Sequence, residues 1–145
     1  MNDYDIFSLA YNEYYTKQKD CSLDEIRELF KAFYIKIKDL NCNDFRLYYI
    51  KARYLNGQNL LKEAKDNVDT AVTLIKQINQ YGLIENTSVI FVYDGSGNYY
   101  PCDYQEHVNK TISDVYSCAG EIYAKMDKIE TSDKYYKIGQ YYILY

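Results

Sequence analysis

Residues 48–72 read YYIKARYLNGQNLLKEAKDNVDTAV, and residues 115–139 read VYSCAGEIYAKMDKIETSDKYYKIG. Tyr48, Ala52, Leu55, Leu61, Ala64, Val68 and Ala71 of the first stretch align with Tyr116, Gly120, Tyr123, Ile129, Ser132, Tyr136 and Gly139 of the second, every pair 68 residues apart. The shared order is an aromatic residue, a small one four later and a bulky one three later, then small, bulky and small residues in the following helix. Small side chains at these places let two antiparallel helices approach closely, and bulky ones fill the space between them. Each stretch therefore predicts a helix–turn–helix pair.

The pattern resembles the tetratricopeptide repeat, a helix–turn–helix unit of about 34 residues. The offset of 68 is twice that length. AGEIYAKMDKIETSDKYY, residues 119–136, is the nearer to the family's usual wording. Two departures stand out: Lys51 occupies a place where the family prefers an aliphatic residue, and neither unit ends in proline. The resemblance implies a short array of stacked helix pairs. An ordinary α-bundle is the alternative, because closely packed helix pairs share this spacing in general.

The rest of the chain is also mostly helical in period. Tyr4, Phe7, Tyr11 and Tyr14 fall at steps of 3, 4 and 3, on one helix face. Ser22-Leu23-Asp24-Glu25 has the form of a capping box, and Ile26, Phe30, Phe33, Ile37 and Leu40 form the stripe of the helix that it opens. Phe45, Tyr48, Ala52 and Leu55 mark a helix over about 44–57, and Leu61, Ala64, Val68, Ala71, Ile75 and Ile78 mark the cleanest one. Ile112, Val115, Tyr116, Ala119 and Tyr123 predict a helix over about 109–126, and Tyr135, Tyr136, Gly139 and Tyr142 one from about 131 onward. The expected architecture is mostly α, a single domain of helix pairs at about 4–40, 44–80 and 109–144.

An insertion at about 81–107 interrupts it. VIFVYDGSGNYYP, residues 89–101, has a β-branched and aromatic run, then Asp-Gly-Ser-Gly, two tyrosines and the sole proline. This predicts a β-hairpin or loop at about 86–101, with residues 89–93 paired to 98–100. An isolated hairpin is marginal in water, so one of its faces is expected to pack on the helices. The other face would present Phe91 and Tyr93, with Tyr99 across the turn, as candidate contacts.

The 145 residues include 20 tyrosines, five phenylalanines and no tryptophan. Tyrosine serves cores and contact surfaces alike. AT-rich codon usage is the other account of its abundance. Net charge is −4, with no basic block of the kind that phosphate backbones require, so nucleic acid is not an expected partner. No apolar run is long enough to span a membrane, and the acidic start MNDYDIF does not suit a signal peptide. Cys21, Cys42, Cys102 and Cys118 form no CxxC pair, and free thiols in a cytoplasmic protein are expected.

Chemistry-bearing motifs are sparse. Cys102, His107 and Cys118 spell C-x4-H-x10-C, which could offer three zinc ligands with Asp103 or Glu106 as a fourth, but no close cysteine pair supports a structural site. A Cys–His nucleophile could be drawn from any of four cysteines and is unspecific. Asp94-Gly95-Ser96-Gly97 neither opens a helix like a phosphate loop nor carries a calcium loop's ligands. No catalytic constellation, metal or cofactor is expected.

The resemblance implies an inner surface made by the first helix of each pair, and such surfaces bind peptides or partner domains. On helix 44–57 the inward residues would be Arg46, Tyr49, Arg53 and Asn56, whose steps of 3, 4 and 3 also place them on one face. On helix 109–126 they would be Ser117, Glu121 and Lys125. Two arginines flanking a tyrosine suit an acidic or aromatic-containing peptide. The expected function is a non-enzymatic protein- or peptide-binding module acting as adaptor or regulator. The alternative is a small acidic inhibitor, an immunity or anti-defence protein that blocks a toxin or nuclease. A Cys/His enzyme or zinc protein is the remote one. The apolar ending QYYILY either folds back or docks on another chain, as in a homodimer.

Overall fold

Three helix starts are closed by side chains that satisfy amides no helical carbonyl can reach. Asn2 Oδ1 accepts from the Asp5 amide at 2.9 Å and opens α1 (Asp3–Lys17). Ser22 and Glu25 form the reciprocal capping box of α2 (Leu23–Ile37), with both bonds at 3.2 Å. Asp44 accepts from the Arg46 amide at 3.0 Å and opens α3 (Phe45–Gly57). Then come α4 (Leu61–Tyr81), α5 (Tyr104–Lys125) and α6 (Ile129–Leu144). The computed structural model describes residues 2–81, 89–93 and 99–144, with side chains for 2–77 and 109–142. No helix among the described residues is long and apolar enough to cross a membrane.

Between α4 and α5, β1 (Val89–Tyr93) and β2 (Tyr99–Asp103) pair antiparallel, with Val89 opposite Asp103 and Tyr93 opposite Tyr99. The second strand thus runs through Pro101, beyond the expected 98–100. A proline is tolerated there because each strand of a two-stranded ladder keeps a free edge. The Asp94-Gly95-Ser96-Gly97 turn lies outside the described residues. α5 begins directly after β2, five residues earlier than the expected Asn109.

Consecutive helices pack on one another, and α3 also packs on α5. Two turns join the closest pairs, and they share one hydrogen-bond pattern. After α3, Gln58 N bonds Tyr54 O, Asn59 N bonds Asn56 O, Leu60 N bonds Leu55 O and Ala64 N bonds Leu60 O. After α5, Met126 N bonds Ile122 O, Asp127 N bonds Ala124 O, Lys128 N bonds Tyr123 O and Ser132 N bonds Lys128 O. Every member is displaced by 68, and the two left-handed residues, Asn59 (φ 60°) and Asp127 (φ 61°), are displaced by 68 as well. Asn and Asp are the non-glycine residues that best tolerate this conformation, because a short polar side chain offsets the Cβ clash.

The aligned small residues sit where the helices cross. Ala52 and Ala64 are wholly buried. At the equivalent crossing Ser132 Oγ donates to the Gly120 carbonyl at 2.7 Å, so the hydroxyl is satisfied inside the contact. Gly120 also makes room for a ring: a Cβ there would stand 2.9 Å from Tyr136. Tyr123, aligned with Leu55, reaches further and donates its hydroxyl to Asp69 at 2.8 Å, tying α5 to α4.

The core is in two parts that meet at α3. Phe45, Ala52 and Leu55 pack with Ala64, Val68, Ile75, Ile112, Val115, Ala119 and Ile122 from α4 and α5. Leu47 and Ile50 pack on another side with Phe7, Tyr14, Phe33 and Ile37 from α1 and α2. Leu47 and Ile50 lie outside the single stripe expected for this helix. Several expected stripe members are only partly covered: Tyr4 is exposed, and Ile26, Phe30 and Leu40 are half-buried. Lys51 is buried between, its ammonium donating to the Leu40 carbonyl at 2.6 Å while burial lowers its pKa. A lysine replaces an aliphatic here because its stem packs and its head finds a carbonyl. At the other end Tyr142 folds back onto Tyr116, with ring centroids 6.0 Å apart, while Tyr141 is exposed.

Two tests follow from this packing. Gly→Ala in a helix gains about 1 kcal/mol in propensity, so Gly120→Ala is expected to stabilise by roughly that much in a Tyr136→Ala background. With Tyr136 present the gain should vanish, because the ring must swing away. Denaturant unfolding of the four proteins measures the coupling, and equal gains in both backgrounds would refute it. The second test concerns Glu13, whose carboxylate takes Lys17 at 2.6 Å and, across to α2, Lys36 at 2.9 Å. These bonds lower its pKa from 4.5 to about 2. A depressed carboxylate stabilises above its unfolded pKa and loses that contribution as pH falls through the folded one. The urea midpoint should therefore fall between pH 4.5 and 2, and Glu13→Gln should flatten that part of the profile.

Candidate functional site

A groove of about 450 Å³ lies between α3 and α5. Tyr49, Arg53 and Asn56 line it from α3, and Asp114, Ser117, Cys118, Glu121 and Lys125 from α5. Tyr136 enters from α6. Six of the residues expected on the inner surface, Tyr49, Arg53, Asn56, Ser117, Glu121 and Lys125, are therefore gathered in one place.

Arg46 is elsewhere. Its guanidinium chelates Asp44, with Nη2 2.6 Å from Oδ2 and Nε 3.0 Å from Oδ1, and it lies over the Tyr11 ring at 5.0 Å and Phe7 at 5.9 Å. It fastens the start of α3 to α1. The reason is local: the N-cap carboxylate two residues back is the nearest acid and captures it. The side chains of Phe91, Tyr93 and Tyr99 lie outside the described residues, as do those of Cys102 and His107. The hairpin's charge, which would bear on the acidic-inhibitor alternative, lies outside them too.

Arg53 differs from Arg46 in what holds it. Its Cζ stands 4.9 Å from the Phe30 ring centroid and 5.4 Å from that of Tyr49. Arg stacks on rings through its weakly hydrated planar group, a contact worth about 0.5–2 kcal/mol. Among the described residues no carboxylate lies within ion-pair distance of it. Lys125, in contrast, is committed: it donates to Asn56 Oδ1 at 2.9 Å across the groove and lies 3.6 Å from Glu121. That bridge also satisfies the buried Asn56 amide oxygen.

Tyr49 lines the α3 side beside Arg53. Burial raises the pKa of its hydroxyl, Arg53 opposes that rise, and Asp114 adds to it. Cys118 lies at the groove floor, where burial first and Glu121 second push its thiol from 9.0 up to about 12. A thiol held protonated is a poor nucleophile.

Sequence reasoning missed Asp114 and Tyr136. Asp114 was available: it stands three residues before Ser117 and 68 after Arg46, so one more turn of the same stripe reaches it. Tyr136 had no such signal. It aligns with the buried Val68, yet it is 40% exposed, because the missing side chain at Gly120 opens a path over α5.

The groove chemistry has a direct readout. A rise of the thiol pKa from 9.0 to about 12 leaves about a thousandfold less thiolate near pH 8. Cys118 should resist alkylation at pH 8 until the chain unfolds, while the partly exposed Cys21 reacts at once. Mass-spectrometric peptide mapping after timed iodoacetamide treatment checks this, and prompt labelling of Cys118 would contradict it. No protein-family model, curated protein or solved structure matches this chain.

Proposed function

We propose that the chain is a non-enzymatic protein- or peptide-binding module, an adaptor or regulator, that takes its partner in the α3/α5 groove. We read its helix pairs as tetratricopeptide-like units, a reading supported by the turn bonds that recur at an offset of 68. The observation that carries the function is the gathering of Tyr49, Arg53, Asn56, Ser117, Glu121 and Lys125 around one groove. Aromatic and arginine side chains half-exposed in a concavity are the types that anchor partners.

Affinity capture from the native host tests it with three proteins: the wild type, Arg53→Glu, and a chain in which a short Gly-Ser linker replaces residues 82–103. An anchor of about 2 kcal/mol corresponds to roughly a thirtyfold loss of affinity. Arg53→Glu should lose the partner to that extent, with an unchanged helical circular dichroism spectrum, and the linker variant should keep it. Retention by Arg53→Glu together with loss by the linker variant would move the contact from the groove to the hairpin.

A further inference from the structure

The two walls of the groove carry opposite charge at equivalent positions. Arg46 and Arg53 on α3 stand 68 residues before Asp114 and Glu121 on α5. The α3 wall presents Arg53, since Arg46 is turned away and paired with Asp44. The α5 wall presents Asp114 and Glu121, both exposed, together with Lys125, which is committed to Asn56 Oδ1 at 2.9 Å and to Glu121 Oε1 at 3.6 Å. Facing charges of opposite sign would close on each other if they could reach. They do not: Arg53 has no carboxylate within 4.0 Å among the described residues, and Asp114 makes no ion pair there. The helix positions hold them apart, and the Tyr49 hydroxyl in the same groove feels both.

A half-buried guanidinium without an acid, and an acid without a base, are each completed by a ligand that brings both. Polyanions fit poorly, because Asp114 and Glu121 repel them and the one cation on the α5 wall, Lys125, is already engaged by Asn56 and Glu121. A free amine or a lone carboxylate would satisfy one wall only. A peptide segment lying along the groove in extended form sends successive side chains to opposite sides. Acids at one parity and bases at the other would then meet Arg53 on α3 and, on α5, Asp114 and the carboxylate of Glu121, whose Oε1 faces Lys125 at 3.6 Å.

We propose that the α3/α5 groove recognises an extended peptide segment in which acidic and basic residues alternate, the acids paired with Arg53 and the bases with Asp114 and Glu121. This rests on the protein-binding reading above and adds the pattern that the partner must carry.

Three fluorescein-labelled dodecapeptides provide the test by anisotropy with the full chain. One alternates Glu and Lys throughout. The second has the same residues as a block of six Glu followed by six Lys. The third replaces all charges by Gln and Ser. The first two have the same composition and net charge, so only the pattern separates them. The alternating peptide should bind about tenfold more tightly than the block peptide, and the neutral one should bind most weakly. Asp114→Asn, at an exposed side chain that makes no ion pair among the described residues, should reduce the advantage several-fold. Arg53→Gln should abolish it, with circular dichroism confirming the fold. Equal binding of the alternating and block peptides, an unchanged advantage in both variants, or no binding by any of the three overturns the inference. None of these outcomes bears on whether Arg53→Glu loses a captured partner, so the broader reading stands or falls separately.

Discussion

α3 is covered on two sides, and the arrangement of the other helices depends on that. Phe45, Ala52 and Leu55 face α4 and α5, while Leu47 and Ile50 face α1 and α2. Each buried Phe, Leu or Ile side chain contributes about 1.5–3 kcal/mol, so both faces hold strongly. A helix offers 360° of surface at about 100° per residue, and two apolar faces leave only a narrow strip. That strip carries Arg46, Tyr49, Arg53 and Asn56. Its first member is drawn to the N-cap Asp44, and the remaining three become a wall of the groove. Lys51 is the cost of the arrangement, a charged residue buried between two faces and rescued by the Leu40 carbonyl.

The groove is held open by contacts that do not fill it. Lys125 bridges to Asn56 at one end, and Ser132 pins α6 to the Gly120 carbonyl behind α5. Arg53 is positioned by the Phe30 and Tyr49 rings and by a hydrogen bond with the Tyr15 hydroxyl instead of by an acid. A ring contact holds a guanidinium in place while leaving the N–H groups not used by Tyr15 able to take a carboxylate. A lysine could not be placed this way, since its ammonium is a point charge with a tightly held hydration shell. The first helical hairpin therefore has a part in the groove through Phe30, although it lines none of it.

Much of this was legible in the residues. The offset of 68 located both helix pairs and their turns, because close helix crossings constrain residue size at fixed spacing. Ser22 and Glu25 announced the start of α2 through local hydrogen bonding. The inner-face residues were readable as a strip next to the core strip, since helical period alone assigns angular position. Other features were not readable. Arg46 and Arg53 look equivalent in the sequence, and only the acid beside one and the rings beside the other separate them. Leu47 and Ile50 lie off the stripe read for this helix, and only the packing of α1 and α2 gives them a core. Tyr136 appeared to be the counterpart of Val68, and it reaches the groove because a glycine on a different helix leaves the way clear.

The sequence settles what short-range physics controls: helix period, capping, the left-handed turn residues Asn59 and Asp127, and which angular strip of each helix is polar. It also holds the opposite signs of α3 and α5 at matched positions. Which strips face each other, which charge is neutralised and which is left waiting depend on contacts between residues far apart in the chain, such as Asn56 with Lys125 and Gly120 with Ser132. Such contacts have no local signature, because their energy exists only once two helices have been brought together by cores that neither one contains alone.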